Sequence, residues 1–162
     1  MSFFLNSQII PLSEVPIEHP TQNPVVLVVD DEPLVADTLS VILSRAGFTT
    51  MTAYDAQMAL EMAELTPPAL LISDVAMPDM NGVELAIVLL ATQPRCKVLL
   101  FSGHATNADL VTAMDAGHDF HLLAKPVHPT EMIRLVSKSL GIRPRNTPHL
   151  HQAEVVSIRR SA

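Results

Sequence analysis

The chain has 162 residues, 48% of them hydrophobic, which suits one domain with an ample core and short appendages. A formal charge of −7 argues against a surface built to hold nucleic-acid backbone, and no apolar run approaches the ~20 residues that cross a bilayer. Cys96 is alone and so cannot form an internal disulfide, and the first residues lack the basic region of a signal peptide, so a cytoplasmic protein is expected.

Residues 1–23 contain Pro11, Pro16 and Pro20 without a sustained period and read as an extended arm or linker. Phe3, Phe4, Leu5, Ile9 and Ile10 make this arm too apolar for a purely solvated tail. Val25 to Val29 form a buried-strand run that ends in Asp30-Asp31-Glu32. Pro33 suits the first turn of a helix, in which Val35, Leu39, Ile42, Leu43 and Ala46 recur at helical spacing before Gly47. Phe48 to Ala53 is a short strand, and Asp55 caps a helix through about Leu65 that Pro67-Pro68 break.

Leu70-Leu71-Ile72-Ser73-Asp74 then reads as a strand buried on both faces, with a carboxylate where it emerges. A loop holding Pro78, Asn81 and Gly82 leads into residues 83–91, a helix that is apolar nearly all round. Such a helix should be covered on more than one side, either by the N-terminal arm or at a partner or dimer surface. Lys97 to Phe101 is the next strand, ending at Ser102-Gly103, and a helix from about Asn107 to Ala116 stops at Gly117. A strand over Phe120 to Leu123 runs into Lys125-Pro126, and Met132, Leu135, Val136 and Leu140 mark a last helix ended by Gly141. Residues 142–162 carry Arg143, Arg145, Arg159 and Arg160 against one acid, Glu154. They read as a basic tail too short for a core of its own, so no output domain is expected.

Alternating buried strands and helices imply an α/β protein with a parallel sheet covered on both faces. Five such units point to a doubly wound, flavodoxin-like three-layer sandwich with strand order 2-1-3-4-5. In that architecture Asp30-Asp31, Asp74, Ser102 and Lys125 share the carboxyl edge of the sheet, where ligands bind. Clustered carboxylates suit Mg²⁺, which takes oxygen ligands, and a carboxylate can also attack phosphorus to give an aspartyl phosphate. A lysine and a hydroxyl would then balance the transferring phosphoryl group.

These residues resemble the receiver domain of two-component response regulators, over about residues 24–141. The resemblance rests on Asp30-Asp31, on Asp74-Val75-Ala76-Met77-Pro78-Asp79-Met80-Asn81-Gly82, on Phe101-Ser102-Gly103 and on Lys125-Pro126. It implies that Asp74 accepts phosphate from the histidine of a sensor kinase or of a histidine phosphotransfer protein. Asp31 and Asp74 would ligate Mg²⁺, with Asp30 acting through water and Ala76 through its carbonyl. Ser102 and Lys125 would stabilise the phosphoryl group, and the Lys125–Pro126 peptide would be cis. The switch would reshape the face built by helix 107–116, the last strand and the last helix, for a downstream protein partner. Such a protein is no enzyme beyond its own phosphoryl transfer and autodephosphorylation, and direct nucleic-acid binding is not expected.

The family usually places Tyr or Phe three residues before the lysine, where this chain has Leu122. Either a bulge around His121 lets Phe120 or His121 take that role, or the aromatic toggle is absent. His104 lies two residues beyond Ser102, and the family analogy makes it a candidate modulator of phosphoryl lifetime. His118, His121 and His128 near the same edge show no more than spacing, and read as surface or loop side chains. A phosphate-independent scaffold is the alternative, disfavoured because every acceptor-site residue is present. A phosphatase with an aspartyl nucleophile is more distant still, since Ala76 stands where a second Asp would be needed.

Overall fold

The structure is a computed structural model and describes residues 23–103, 117 and 120–143. The N-terminal arm, the helix expected at 107–116, His104, His118 and the tail from residue 144 lie outside the described residues.

Five strands, β1 (Val25–Val29), β2 (Thr49–Ala53), β3 (Leu70–Asp74), β4 (Lys97–Ser102) and β5 (His121–Ala124), form one sheet. All neighbours run parallel and the order is β2-β1-β3-β4-β5, as the alternating pattern requires. The described helices are α1 (Pro33–Arg45), α2 (Ala56–Leu65), α3 (Gly82–Thr92) and α4 (Pro129–Leu140).

Side chains alternate across each strand, so the sheet feeds two cores. Leu27, Val29, Leu71 and Leu100 pack with Ala59 and Ala63 of α2 and with Val83, Leu85, Ala86 and Leu89 of α3. Val26, Val28, Leu70, Ile72, Leu99 and Phe101 pack on the other face with Ala36 and Leu43 of α1 and Met132, Leu135 and Val136 of α4.

The helix ends are set by local chemistry. Asp55 accepts the Met58 N–H at 2.7 Å and so caps α2. Asn81 and Glu84 form a reciprocal capping box at the start of α3, with bonds of 2.9 and 3.0 Å. Gly141 closes α4 with φ +67°, a conformation open to a residue without Cβ.

Two expectations from the sequence change. Strand β5 begins at His121 rather than Phe120, because pairing with β4 starts at Leu99↔His121 and then continues without a break to Ser102↔Ala124. Among the described residues α3 is buried on one face, through Val83, Leu85, Ala86 and Leu89, while Val88 stays 42% exposed. The all-round cover expected for this helix is therefore not supplied by the described residues, and the arm proposed to supply it lies outside them.

Candidate functional site

Parallel pairing brings the carboxyl ends of all five strands to one edge, and the central strands β1 and β3 end there in acids. Asp30 follows β1 directly and is 5% exposed; Asp74 closes β3 and is 8% exposed; Asp31 lies beside them in solvent. One carboxylate oxygen from each of the three lies within 4.8 Å of the others. Such crowding of like charges is unfavourable unless a cation sits among them.

Lys125, one residue beyond β5, supplies a cation. Its Nζ lies 3.0 Å from Oδ2 of Asp30 and 3.3 Å from Oδ1 of Asp74. The other Asp30 oxygen accepts the Glu32 N–H at 3.0 Å, which fixes the carboxylate from the opposite side. Burial pushes the Asp74 carboxyl above its ordinary value, Lys125 offsets part of this, and Asp30 and Asp31 add to the rise. For Lys125 burial acts downward, but the contacts to Asp30 and Asp74 outweigh it and hold the ammonium above its usual value.

Three carboxylates against one ammonium leave an excess of two negative charges, which matches a divalent cation with oxygen preference. Asp31 is open to solvent, so water could supply the remaining oxygen ligands of an ion held there. The donor set therefore fits Mg²⁺.

The remaining sequence candidates fall into two groups. Ala76 is exposed in the turn after β3, and Ser102 is buried at the end of β4, whose register sets Asp74 opposite Phe101. The Lys125–Pro126 peptide is cis. Phe120 and Leu122 both pack, half-buried, against the core on the α2/α3 face, while His121 between them is exposed. The unbroken β4–β5 register leaves no bulge over residues 121–124, so Leu122 itself holds the position three before Lys125. His128 has a local task that its place in the sequence did not reveal. It caps α4, its Nδ1 accepting the Thr130 N–H at 3.3 Å.

The model for the response regulator receiver domain matches residues 26–137. The chain belongs to that family. This receiver is 39% identical over 116 residues to an uncharacterized 14.6 kDa protein of Leptolyngbya boryana, covering 70% of this chain and 87% of the other. It spans about half the length of the transcriptional regulators it matches. One is the alkaline phosphatase synthesis regulator PhoP of Bacillus subtilis, with 32% identity over 110 residues that cover 68% of this chain and 45% of PhoP. Among solved structures, a CheY-like receiver domain protein of Methanospirillum hungatei superposes with a TM-score of 0.69 at 28% identity, over 74% of this chain and 95% of that one. The chemotaxis protein CheY4 of Vibrio cholerae gives 0.67 at 26% identity, over 73% and 99%.

Proposed function

We propose that this receiver is a phosphoacceptor of a two-component phosphorelay, with Asp74 as the acceptor. The observation that carries this is the Asp74 carboxylate, largely buried at the end of β3 and 3.3 Å from the Lys125 ammonium within a three-carboxylate cluster. A phosphoryl donor at this edge would meet a nucleophile and a cation, with the Ser102 hydroxyl at the end of the neighbouring strand β4.

An Asp74 oxygen attacks phosphorus, the new O–P bond forming as the P–N bond of a donor phosphohistidine breaks. The electron pair leaves with the imidazole nitrogen. Lys125 neutralises charge on the phosphoryl oxygens, and the Ser102 hydroxyl donates a hydrogen bond to one of them. Mg²⁺, when bound, supplies further charge neutralisation. Asp31 and Asp74 would hold it directly, Asp30 through water and Ala76 by its carbonyl. Attack of water on the aspartyl phosphate returns the carboxylate and inorganic phosphate, and no other reaction is assigned to this protein.

The donor is a sensor histidine kinase or a histidine phosphotransfer protein in the cytoplasm, and residues 24–141 form the signalling unit. The output is binding to a downstream protein. The position of His104 relative to Ser102 makes it a modulator of phosphoryl lifetime, and an unchanged dephosphorylation rate in His104→Ala would remove it from that role.

The test is the intact mass of the protein after incubation with acetyl phosphate, with and without Mg²⁺, for wild type and Asp74→Asn. A phosphoryl adduct that needs Mg²⁺ and is lost in the variant is expected. A folded wild type that takes no adduct under any condition would overturn the assignment in favour of a phosphate-independent scaffold.

A further inference from the structure

Ser73 is the one hydroxyl inside the apolar run of β3, and it is 0% exposed. A hydroxyl carried into such a place loses its water and needs a partner. Ser73 finds it next door, its Oγ donating to the main-chain carbonyl of Asp74 at 2.9 Å. Alternation along β3 puts Ser73 on the same face as Leu71 and Val75, toward α2 and α3 and away from the core that Ile72 joins.

The same carbonyl is approached from the first turn of α3. A Cβ built on Gly82 would run into the Asp74 carbonyl oxygen and lie 2.9 Å from Ser73 Oγ, so only glycine fits there. The residue after Asp74 is held as well. The Val75 N–H donates to Phe101 at 2.8 Å, and the Val75 carbonyl accepts the Gly82 N–H at 3.0 Å. The Asp74–Val75 peptide is thus fixed by β4 and by the Ser73 hydroxyl, and the peptide after it by the start of α3. The Asp74–Val75 peptide sets the direction of the Asp74 side chain.

We propose that Ser73 is a positioning residue for Asp74: its hydroxyl, by holding the Asp74 carbonyl, aims the carboxylate at the cation site shared with Asp30, Asp31 and Lys125. This rests on Asp74 being the phosphoacceptor, and it adds a determinant of that reaction that touches neither ion nor phosphate. The competing account is size alone, in which Gly82 merely demands a small neighbour.

Ser73→Ala separates the two, because alanine is small but has no hydroxyl. Two quantities are read on the full chain: Mg²⁺ affinity by titration, and the rate of adduct formation with acetyl phosphate at saturating Mg²⁺. Each should fall ~10-fold in Ser73→Ala, the scale on which loss of a residue that orients a metal ligand registers. Ser73→Thr, which keeps the hydroxyl, should recover most of both; if its methyl group unfolds the chain, Ser73→Cys, a weak donor, should fall between alanine and wild type. Val26→Ala, in the opposite half of the sheet, should lower the melting temperature yet leave both quantities unchanged.

Wild-type values in Ser73→Ala would overturn the proposal, as would an equal loss in Val26→Ala. If wild type binds Mg²⁺ but takes no phosphoryl group, the phosphoacceptor reading falls. The Mg²⁺ titration of Ser73→Ala then decides the positioning role by itself.

Discussion

The two ends of the sheet are built to different specifications. Toward the amino end, Val26, Leu70 and Leu99 are apolar and packed between helix layers. At the carboxyl end the strands finish in Asp30, Ser73-Asp74 and Ser102, which account for most of the buried polar side chains among the described residues. The first end contributes stability. The second carries a charge imbalance that costs stability in the isolated chain and is relieved when a cation arrives. The difference shows which half of each strand can be altered without touching the chemistry.

The comparison breaks most visibly at the packed end. Leu70→Ala removes a side chain with 0% exposure and should cost about 2–5 kcal/mol, read as a lower urea midpoint, while Mg²⁺ affinity holds. At the charged end the sign of the effect depends on the ion. Mg²⁺ at a hundredfold excess over its dissociation constant should stabilise wild type by about 2.7 kcal/mol, seen as a melting temperature that falls when a chelator is added. Asp74→Asn should shrink that ion-dependent rise.

Lys125→Met should destabilise the metal-free chain by about 1 kcal/mol, since it strips the cation from Asp30 and Asp74 at a partly exposed site. Added Mg²⁺ should then give a larger rise in melting temperature than in wild type. Equal rises would mean that Lys125 does not compensate the acidic cluster.

The smallest effect concerns Cys96, just before β4 at the packed end. Burial pushes its thiol up to about 11, so thiolate is scarce at neutral pH and alkylation should be far slower than for a free cysteine. In the unfolded chain the thiol ionises first as pH rises. The contribution of Cys96 to stability is therefore present below the ordinary thiol range and is lost between that range and pH 11. Cys96→Ala should flatten this part of the stability profile.

Much of this division is legible in the sequence. Apolar runs that stop at a carboxylate or a serine declare both the strands and the edge they share, and Pro33, Asp55, Asn81 and Gly141 mark the helix boundaries. Less legible are features that depend on geometry across the sheet. The capping role of His128 requires the Thr130 N–H to turn toward its ring. Ser73 looks like a small residue tolerated in a strand until Gly82 is seen against the same carbonyl. For α3 the composition is apolar on nearly every side, so it carries little periodic signal to say which face meets the sheet. Helix α4 has that signal, with Arg134 and Lys138 exposed opposite Met132, Leu135 and Val136.

The ion pair between Lys125 and Asp30 joins residues 95 positions apart in the chain. It closes a loop that contains β2, β3, β4 and β5, and it joins the ends of β1 and β5 across the two strands, β3 and β4, that lie between them in the sheet. Contacts of such long sequence separation form slowly, because loop closure must precede any reward. A nascent or truncated chain that ends before β5 would present three carboxylates without their lysine. The Asp30–Lys125 contact therefore reports that β1 and β5 have been brought to one edge across β3 and β4, and the charged edge gains its lysine only in a chain that includes β5.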